Sequence, residues 1–125
     1  MKIEELSVGD WVKASGVAKR VHSIEYQNRA YFVNFSDLDT NSEDYLHAPF
    51  VKHIPLTPEI LEKNGFVKEE DEDGNKRYSL IEGGTKFSLG YARSVFQWTF
   101  PIDVRYVHEL QHALRLVGVE KEIEV

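Results

Sequence analysis

Thr57-Pro58-Glu59 is the strongest punctuation in this chain, and it falls where a series of short β-like runs stops. Threonine is a good N-cap, proline suits the first helical position because its missing N–H has no intrahelical partner to lose, and Glu59 adds negative charge at the positive end of the helix. Ile60 and Leu61 supply an apolar face. Asn64-Gly65 should end the helix, with the glycine in the left-handed C′ conformation and Phe66 folded back onto the last turn. A chain interrupted this way near His53-Ile54-Pro55-Leu56 divides into residues 1–55 and 56–125.

In the first part, β-like runs cover Asp10 to Ala14, Val17 to Tyr26, Ala30 to Phe35 and Tyr45 to Ile54. Ser15-Gly16 and Gln27-Asn28 read as the first two turns. Tyr31, Val33 and Phe35 alternate with Asn34, although Phe32 breaks strict period two. Several short strands of this kind predict a small SH3-like β-barrel, with Leu6-Ser7-Val8-Gly9-Asp10-Trp11-Val12 leading into its first strand.

The second part reads as a helix, an antiparallel sheet and a closing C-terminal helix, so the fold class is α+β. Phe66 to Lys68 and Arg77 to Ile81 form the arms of a hairpin across an acidic run. Phe87, Leu89 and Tyr91, then Phe96, Trp98 and Phe100, alternate with small or polar residues and give two more strands. The closing helix is expected after Pro101, with Asp103 as N-cap and Gly118 as its end. Val119, Ile123 and Val125 then suggest a short final strand or a tail along the sheet edge.

At 125 residues the chain can bury roughly two-thirds of its unfolded surface, enough for a core without staples. Cysteine is absent, which excludes disulfides, thiolate metal sites and cysteine nucleophiles and fits a reducing cytoplasm. Met1-Lys2-Ile3-Glu4-Glu5 lacks a hydrophobic signal core, and no apolar run approaches the roughly 20 residues that span a bilayer. The net charge is −6, but the run Glu69-Glu70-Asp71-Glu72-Asp73 carries five of the negatives, so the remainder is nearly neutral. A broad basic face for duplex binding is therefore not expected; Lys13, Lys19 and Arg20 form at most a small patch.

His108-Glu109-Leu110-Gln111-His112 spells H-E-x-x-H, in which two imidazoles one helical turn apart hold zinc beside a glutamate base. Catalytic zinc needs a third protein ligand and an open position for water. The extended motif would require glycine and histidine where this chain has Arg115 and Gly118. Glu120, Glu122 and Glu124 lie in a short stretch with no room for a second packed helix. At about 100° per residue, Leu110 shares a face with Asp103, Tyr106, Val107, Ala113, Leu114 and Val117, while His108 and His112 fall on the opposite, solvated side. Zinc would then need His22, His47 or His53 to fold over that face.

Three further patterns have simpler readings. Asp71, Asp73, Asn75 and Glu82 stand at positions 1, 3, 5 and 12 of a calcium loop. Position 6, however, is Lys76 instead of glycine, and Asp73-Gly74 suits a hairpin turn. Glu82-Gly83-Gly84-Thr85-Lys86 lacks phosphate-loop spacing and reads as a turn. Trp11, Tyr31, Phe32, Phe96, Trp98 and Phe100 could stack a ligand, but aromatic strand positions usually belong to the core.

Leu56-Thr57-Pro58-Glu59-Ile60-Leu61-Glu62-Lys63-Asn64-Gly65-Phe66, followed later by Arg105-Tyr106-Val107-His108-Glu109-Leu110-Gln111, resembles a family of short uncharacterised proteins of gut-bacterial chromosomes, prophages and mobile elements. The resemblance spans most of the chain, from Leu6 to Val12 onward. The family's pattern L-T-x-E-x-L-x-K-x-G-F with a C-terminal Y-V-H-x-L-Q requires neither Glu109 nor His112, and the resemblance implies no activity.

The sequence thus predicts a non-enzymatic protein-interaction module in a bacterial cytoplasm or a phage-related setting, with a protein as partner instead of a nucleic acid or a membrane. The alternative is a zinc-dependent hydrolase with His108 and His112 as ligands and Glu109 as base. A third reading is weak nucleic-acid binding through the barrel, reduced by changing Lys19 and Arg20.

Overall fold

The computed structural model describes residues 3–35, 45–99 and 102–125, and the chain splits into two compact units, Met1–Ile54 and Pro55–Val125. Among the described residues the architecture is mixed α+β, with antiparallel pairing in every sheet and two α-helices.

In the first unit, β1 (Trp11–Ala14) pairs with β2 (Val17–Arg20), and β3 (Ser23–Gln27), β4 (Ala30–Asn34) and β5 (Tyr45–His47) form a three-stranded sheet. The long run from Val17 to Tyr26 is thus divided at Val21-His22. The run from Tyr45 is cut after three residues by a 3₁₀ turn, Ala48–Phe50, in which Pro49 has no amide to give to a ladder. An isolated antiparallel bridge between Lys13 and Lys52 returns the chain to β1. Among the described residues the sheets do not close into the expected barrel: one bridge stands in place of a last ladder.

The lead-in to β1 is fixed by a buried carboxylate. Asp10 Oδ2 accepts the Ser7 N–H at 2.8 Å, while the Asp10 carbonyl accepts from Val21 at 2.8 Å. Gly9 takes a φ of 93° in this turn. Leu6, Val12, Val21, Val33, Ala48 and Val51 form the core, with Ile24, Phe35 and Leu46 packed on it.

The hairpin turns obey one rule. Ala14↔Val17 and Gln27↔Ala30 close around Ser15-Gly16 and Asn28-Arg29, and all four turn residues have positive φ, the signature of a type I′ turn. The second turn therefore lies one residue beyond the Gln27-Asn28 expected. The observed register keeps Ile24 opposite Val33, where a slip by one would turn both away from the core.

The second unit begins with Pro55 bridged to Tyr106 and the Leu56 N–H donating to the Arg105 carbonyl at 2.9 Å, so the segments preceding both helices run side by side. Helix α1 (Pro58–Lys63) is capped by Thr57, whose Oγ1 accepts the Ile60 N–H at 3.3 Å. It ends with Phe66 N–H donating to the Leu61 carbonyl at 3.0 Å and Gly65 at φ 88°, as a glycine-terminated helix should. A meander follows: β6 (Val67–Glu70), β7 (Lys76–Glu82), β8 (Thr85–Ala92), β9 (Val95–Thr99) and β10 (Ile102–Val104), hydrogen-bonded in the order β10-β9-β8-β7-β6. Register places Tyr78, Leu80, Phe87, Leu89, Phe96 and Val104 on one buried face. With Leu61, Val107, Leu110, Ala113 and Leu114 from the helices, they make this unit's core.

Two expectations about the closing segment are corrected. Asp103 lies inside β10, not at a helix start, and α2 runs Val107–Leu116 with Tyr106 at its N-cap. The β-branched Ile102 and Val104 favour the strand, whose register shifts between Ile102 and Asp103. Phe100 and Pro101, expected to end a strand and precede the helix, lie outside the described residues. The helix does stop at Gly118, φ 76°, with the Val119 N–H donating to the Leu114 carbonyl at 2.9 Å.

The tail forms no strand. Asn64 Oδ1 accepts the Glu124 N–H at 2.8 Å, and its Nδ2 donates at 2.7 Å to the carbonyls of Glu124 and Ile60. Val119 and Ile123 are buried on the way. A buried side-chain amide thus does what a strand partner would do, holding the tail to the end of α1. Among the described residues no helix is long and apolar enough to cross a membrane.

Asn64→Ala should lower unfolding free energy by about 2 kcal/mol, because it removes the hydrogen bonds that this buried amide makes to Ile60 and Glu124; urea denaturation measures this. Replacing Arg93-Ser94, which have φ of 53° and 62° between β8 and β9, by Asn-Gly should stabilise by about 1 kcal/mol, seen as a raised Tm.

Candidate functional site

The H-E-x-x-H segment occupies the first turns of α2, and its residues have local work. Glu109 is the third helical residue, where its Oε1 accepts the N–H groups of Arg105 at 2.9 Å and Tyr106 at 3.0 Å. This is the carboxylate half of a capping box, which satisfies donors that a helix start leaves open. A carboxylate held there is turned to the backbone and not toward a metal-bound water.

His108 is only 3% exposed, so the expectation of a solvated histidine face is overturned. Its ring stacks on Tyr106 at 5.9 Å between centroids and meets His112 edge-on at 5.6 Å. The buried face of α2 takes in Val107, His108, Leu110, Gln111, Ala113 and Leu114, wider than an ordinary apolar stripe. Val117, expected on that face, is exposed, and Leu116 is 78% exposed. Of the proposed third ligands, His22, His47 and His53 belong to the first unit, where His53 Nε2 pairs with Glu5 at 3.3 Å. Among the described residues no group of three or more His, Cys, Asp or Glu side chains could hold a metal ion.

The acidic hairpin also resolves into backbone chemistry. Asp71 Oδ1 accepts the N–H groups of Asp73 at 2.9 Å and Asn75 at 2.8 Å, and Oδ2 accepts the Asn75 side-chain amide at 3.0 Å. The Asn75 N–H first, then its side-chain amide, hold the Asp71 carboxyl below its ordinary range, with help from Asp73 and Arg77. Glu82, which matches position 12 of the calcium-loop pattern, sits at the far end of β7 from Lys76. At about 3.3 Å per residue that is roughly 20 Å away, so a calcium loop cannot close. Gly83-Gly84 form the two-residue β7–β8 turn, with φ of 57° and 82°.

The aromatics separate by unit. Phe96 is buried beside Tyr78 and Tyr91, and Trp98 packs on Phe87 at 5.8 Å, so both belong to the sheet's inner face. Phe32 does not belong to a core. Its cross-strand partners are Glu25 and His47, while Ile24, Val33 and Leu46 occupy the opposite, buried face. Around Phe32 the rings continue: Tyr45 at 5.8 Å, His47 at 5.4 Å, then His47 to Phe50 at 6.0 Å. Tyr45 is 52% and Phe50 62% exposed. The outer face of this small sheet therefore presents a row of four rings, three of them not singled out as ligand-stacking candidates by sequence. The signal was Phe32 itself, which broke the alternation. Tyr31 instead pairs with Tyr26 at the hairpin tip, ring centroids 4.8 Å apart.

The small basic patch is divided by register. Val12↔Lys19 puts Lys19 on the inward-facing side, its ammonium over the Phe35 ring at 5.7 Å. Trp11, Lys13 and Arg20 share the outer face, with the Arg20 guanidinium 5.7 Å from the indole centroid. Lys52 joins Lys13 there through the β-bridge. No family model, curated protein or solved structure matches the chain.

Glu109→Ala should cost about 1 kcal/mol of stability, with Glu109→Gln retaining most of it, since an amide oxygen can still cap; thermal melts of both variants check this. Asp71→Ala should weaken the β6–β7 hairpin at neutral pH. Because the folded Asp71 pKa is depressed, its contribution is present above the ordinary carboxylate value of 3.8 and is lost as pH falls through the folded value. The difference between native and variant melts should therefore shrink on acidification.

Proposed function

We propose that this chain is a non-enzymatic interaction module that works through protein contacts, and that its contact surface is the ring row of Phe32, Tyr45, His47 and Phe50. The observation that carries the reading is the exposure of Tyr45 and Phe50 in one continuous aromatic row on the outer face of a sheet whose other face already holds the core. Exposed apolar patches mark contact sites, and aromatic residues are enriched at protein interfaces. Their geometry offers area at little cost in side-chain freedom. The capping role of Glu109 also favours binding over hydrolysis, since the same carboxylate would have to serve as the base.

We further propose that the first unit is a variant of the SH3-like barrel. Its support is the order of strands, a 3₁₀ turn before the last segment, and the return of that segment to β1 at Lys13↔Lys52. The setting proposed, the cytoplasm of a bacterium or a phage-related context, rests on the resemblance of the Leu56 and Arg105 segments.

The test compares the native chain with Tyr45→Ser combined with Phe50→Ser. Both positions are exposed, so stability should change by only about 0.5 kcal/mol, while cross-linked protein partners identified by mass spectrometry should be lost from the variant. A robust hydrolase activity abolished by Glu109→Gln, with the fold intact, would overturn the reading.

A further inference from the structure

Lys13 and Lys52 face each other across an antiparallel bridge, exchanging both backbone hydrogen bonds at 2.9 Å. Directly opposed residues on neighbouring strands bring their Cβ atoms to about 5 Å, and like charges there are destabilising. Both side chains are exposed, and neither ammonium has a hydrogen-bond or ion-pair partner among the described residues. Acidic residues are abundant in this chain, so an opposite charge at either position would have been the stabilising choice. Where a local rule is broken at the expense of stability, a site is the usual reason.

The same outer face carries the other parts of an anion site with a stacking element. Trp11 is two residues before Lys13 on β1, hence on the same side, and its cross-strand partner is Arg20. The Arg20 guanidinium lies over the indole, and its Nε donates to the Gly9 carbonyl at 3.3 Å. The indole is half-buried, which leaves part of it at the surface. Cations interleaved with an aromatic plane on one sheet face are the arrangement by which proteins hold single strands, with phosphates on the cations and bases against the π-surface.

We propose that this face of the first unit, built from Lys13, Lys52, Arg20 and Trp11, binds single-stranded nucleic acid. It is separate in residues from the aromatic row assigned to protein contact, so either assignment can fail without the other. The presence of the indole is what favours a nucleic acid over an acidic peptide, which would need the cations alone. Lys19, turned to the other side over Phe35, takes no part.

The test is fluorescence anisotropy of the full chain with a short labelled oligothymidylate, alongside an abasic strand of equal length, a duplex, and a polyglutamate peptide of equal charge. The native chain should prefer the oligothymidylate to the other three. Three phosphate contacts on a single strand predict a slope of about −2 in log affinity against log salt. Lys13→Glu replaces a like-charge pair by an opposite one. It should therefore raise the Tm while weakening oligothymidylate binding by about tenfold. Lys19→Glu should leave most of the affinity intact. The pairing of higher stability with lower affinity is an outcome that a purely structural role for Lys13 does not produce. Binding unaffected by Lys13→Glu, absence of binding at low salt, or affinity for the abasic strand or polyglutamate equal to that for oligothymidylate would each overturn the proposal.

Discussion

Antiparallel pairing through two-residue turns sets most of this architecture. Ser15-Gly16, Asn28-Arg29, Gly83-Gly84 and Arg93-Ser94 each connect neighbouring strands with positive φ at both positions. Such turns match the right-handed twist of the strands they join and fix register without a long loop. With register fixed, each side chain is committed to a face. Two of these turns use no glycine, and the strain of their left-handed residues is outweighed by the ladders on either side. The β7–β8 and β8–β9 connections of the five-stranded meander repeat this local solution, and its core face then needs only the helices and the tail to cover it.

Register also explains why the sequence was legible on inner faces and opaque on outer ones. Val33 is buried between less buried neighbours as the alternation around it predicts, and Phe87 and Leu89 follow the same pattern in the second unit. These positions follow one dominant force, burial of apolar area. Helix α1 was equally readable because Thr57, Pro58 and Gly65 each solve a local backbone problem that has few other solutions. Outer faces are set by no such single force. Phe32 and Lys13 violate the patterns that burial and charge pairing would write, and which residues gather around them depends on pairings that only the folded register reveals. Lys52 lies 39 positions from Lys13 in the sequence, and nothing local to either indicates that they meet.

The places where reading failed share a physical cause. Barrel closure was inferred from a run of β-like residues, but Pro49 breaks that run into a 3₁₀ turn and leaves one bridge where a ladder was expected. The tail was expected as a short strand or laid along the sheet edge, and a side-chain amide holds it instead. In both cases backbone donors and acceptors had to be satisfied, and sequence periodicity does not say by which group.

The H-E-x-x-H segment turns on the same issue, through the position of a helix start. With α2 begun at Asp103, Glu109 would lie in the second turn, its carboxylate clear of the backbone and available as a base. The helix instead begins at Val107, which makes His108 the second helical residue and Glu109 the third. At the third position a glutamate reaches back to the open N–H groups of the N-cap region, and Glu109 does so at 2.9 and 3.0 Å. Leu110 then falls in the core and His108 at its margin, beside Tyr106. A few residues' shift of a helix boundary thus converts the letters of a metalloprotease motif into a cap, a core leucine and a packed imidazole. The spacing of such a motif carries chemical meaning only once the helix start is known, because the first turn has its own demand for a carboxylate.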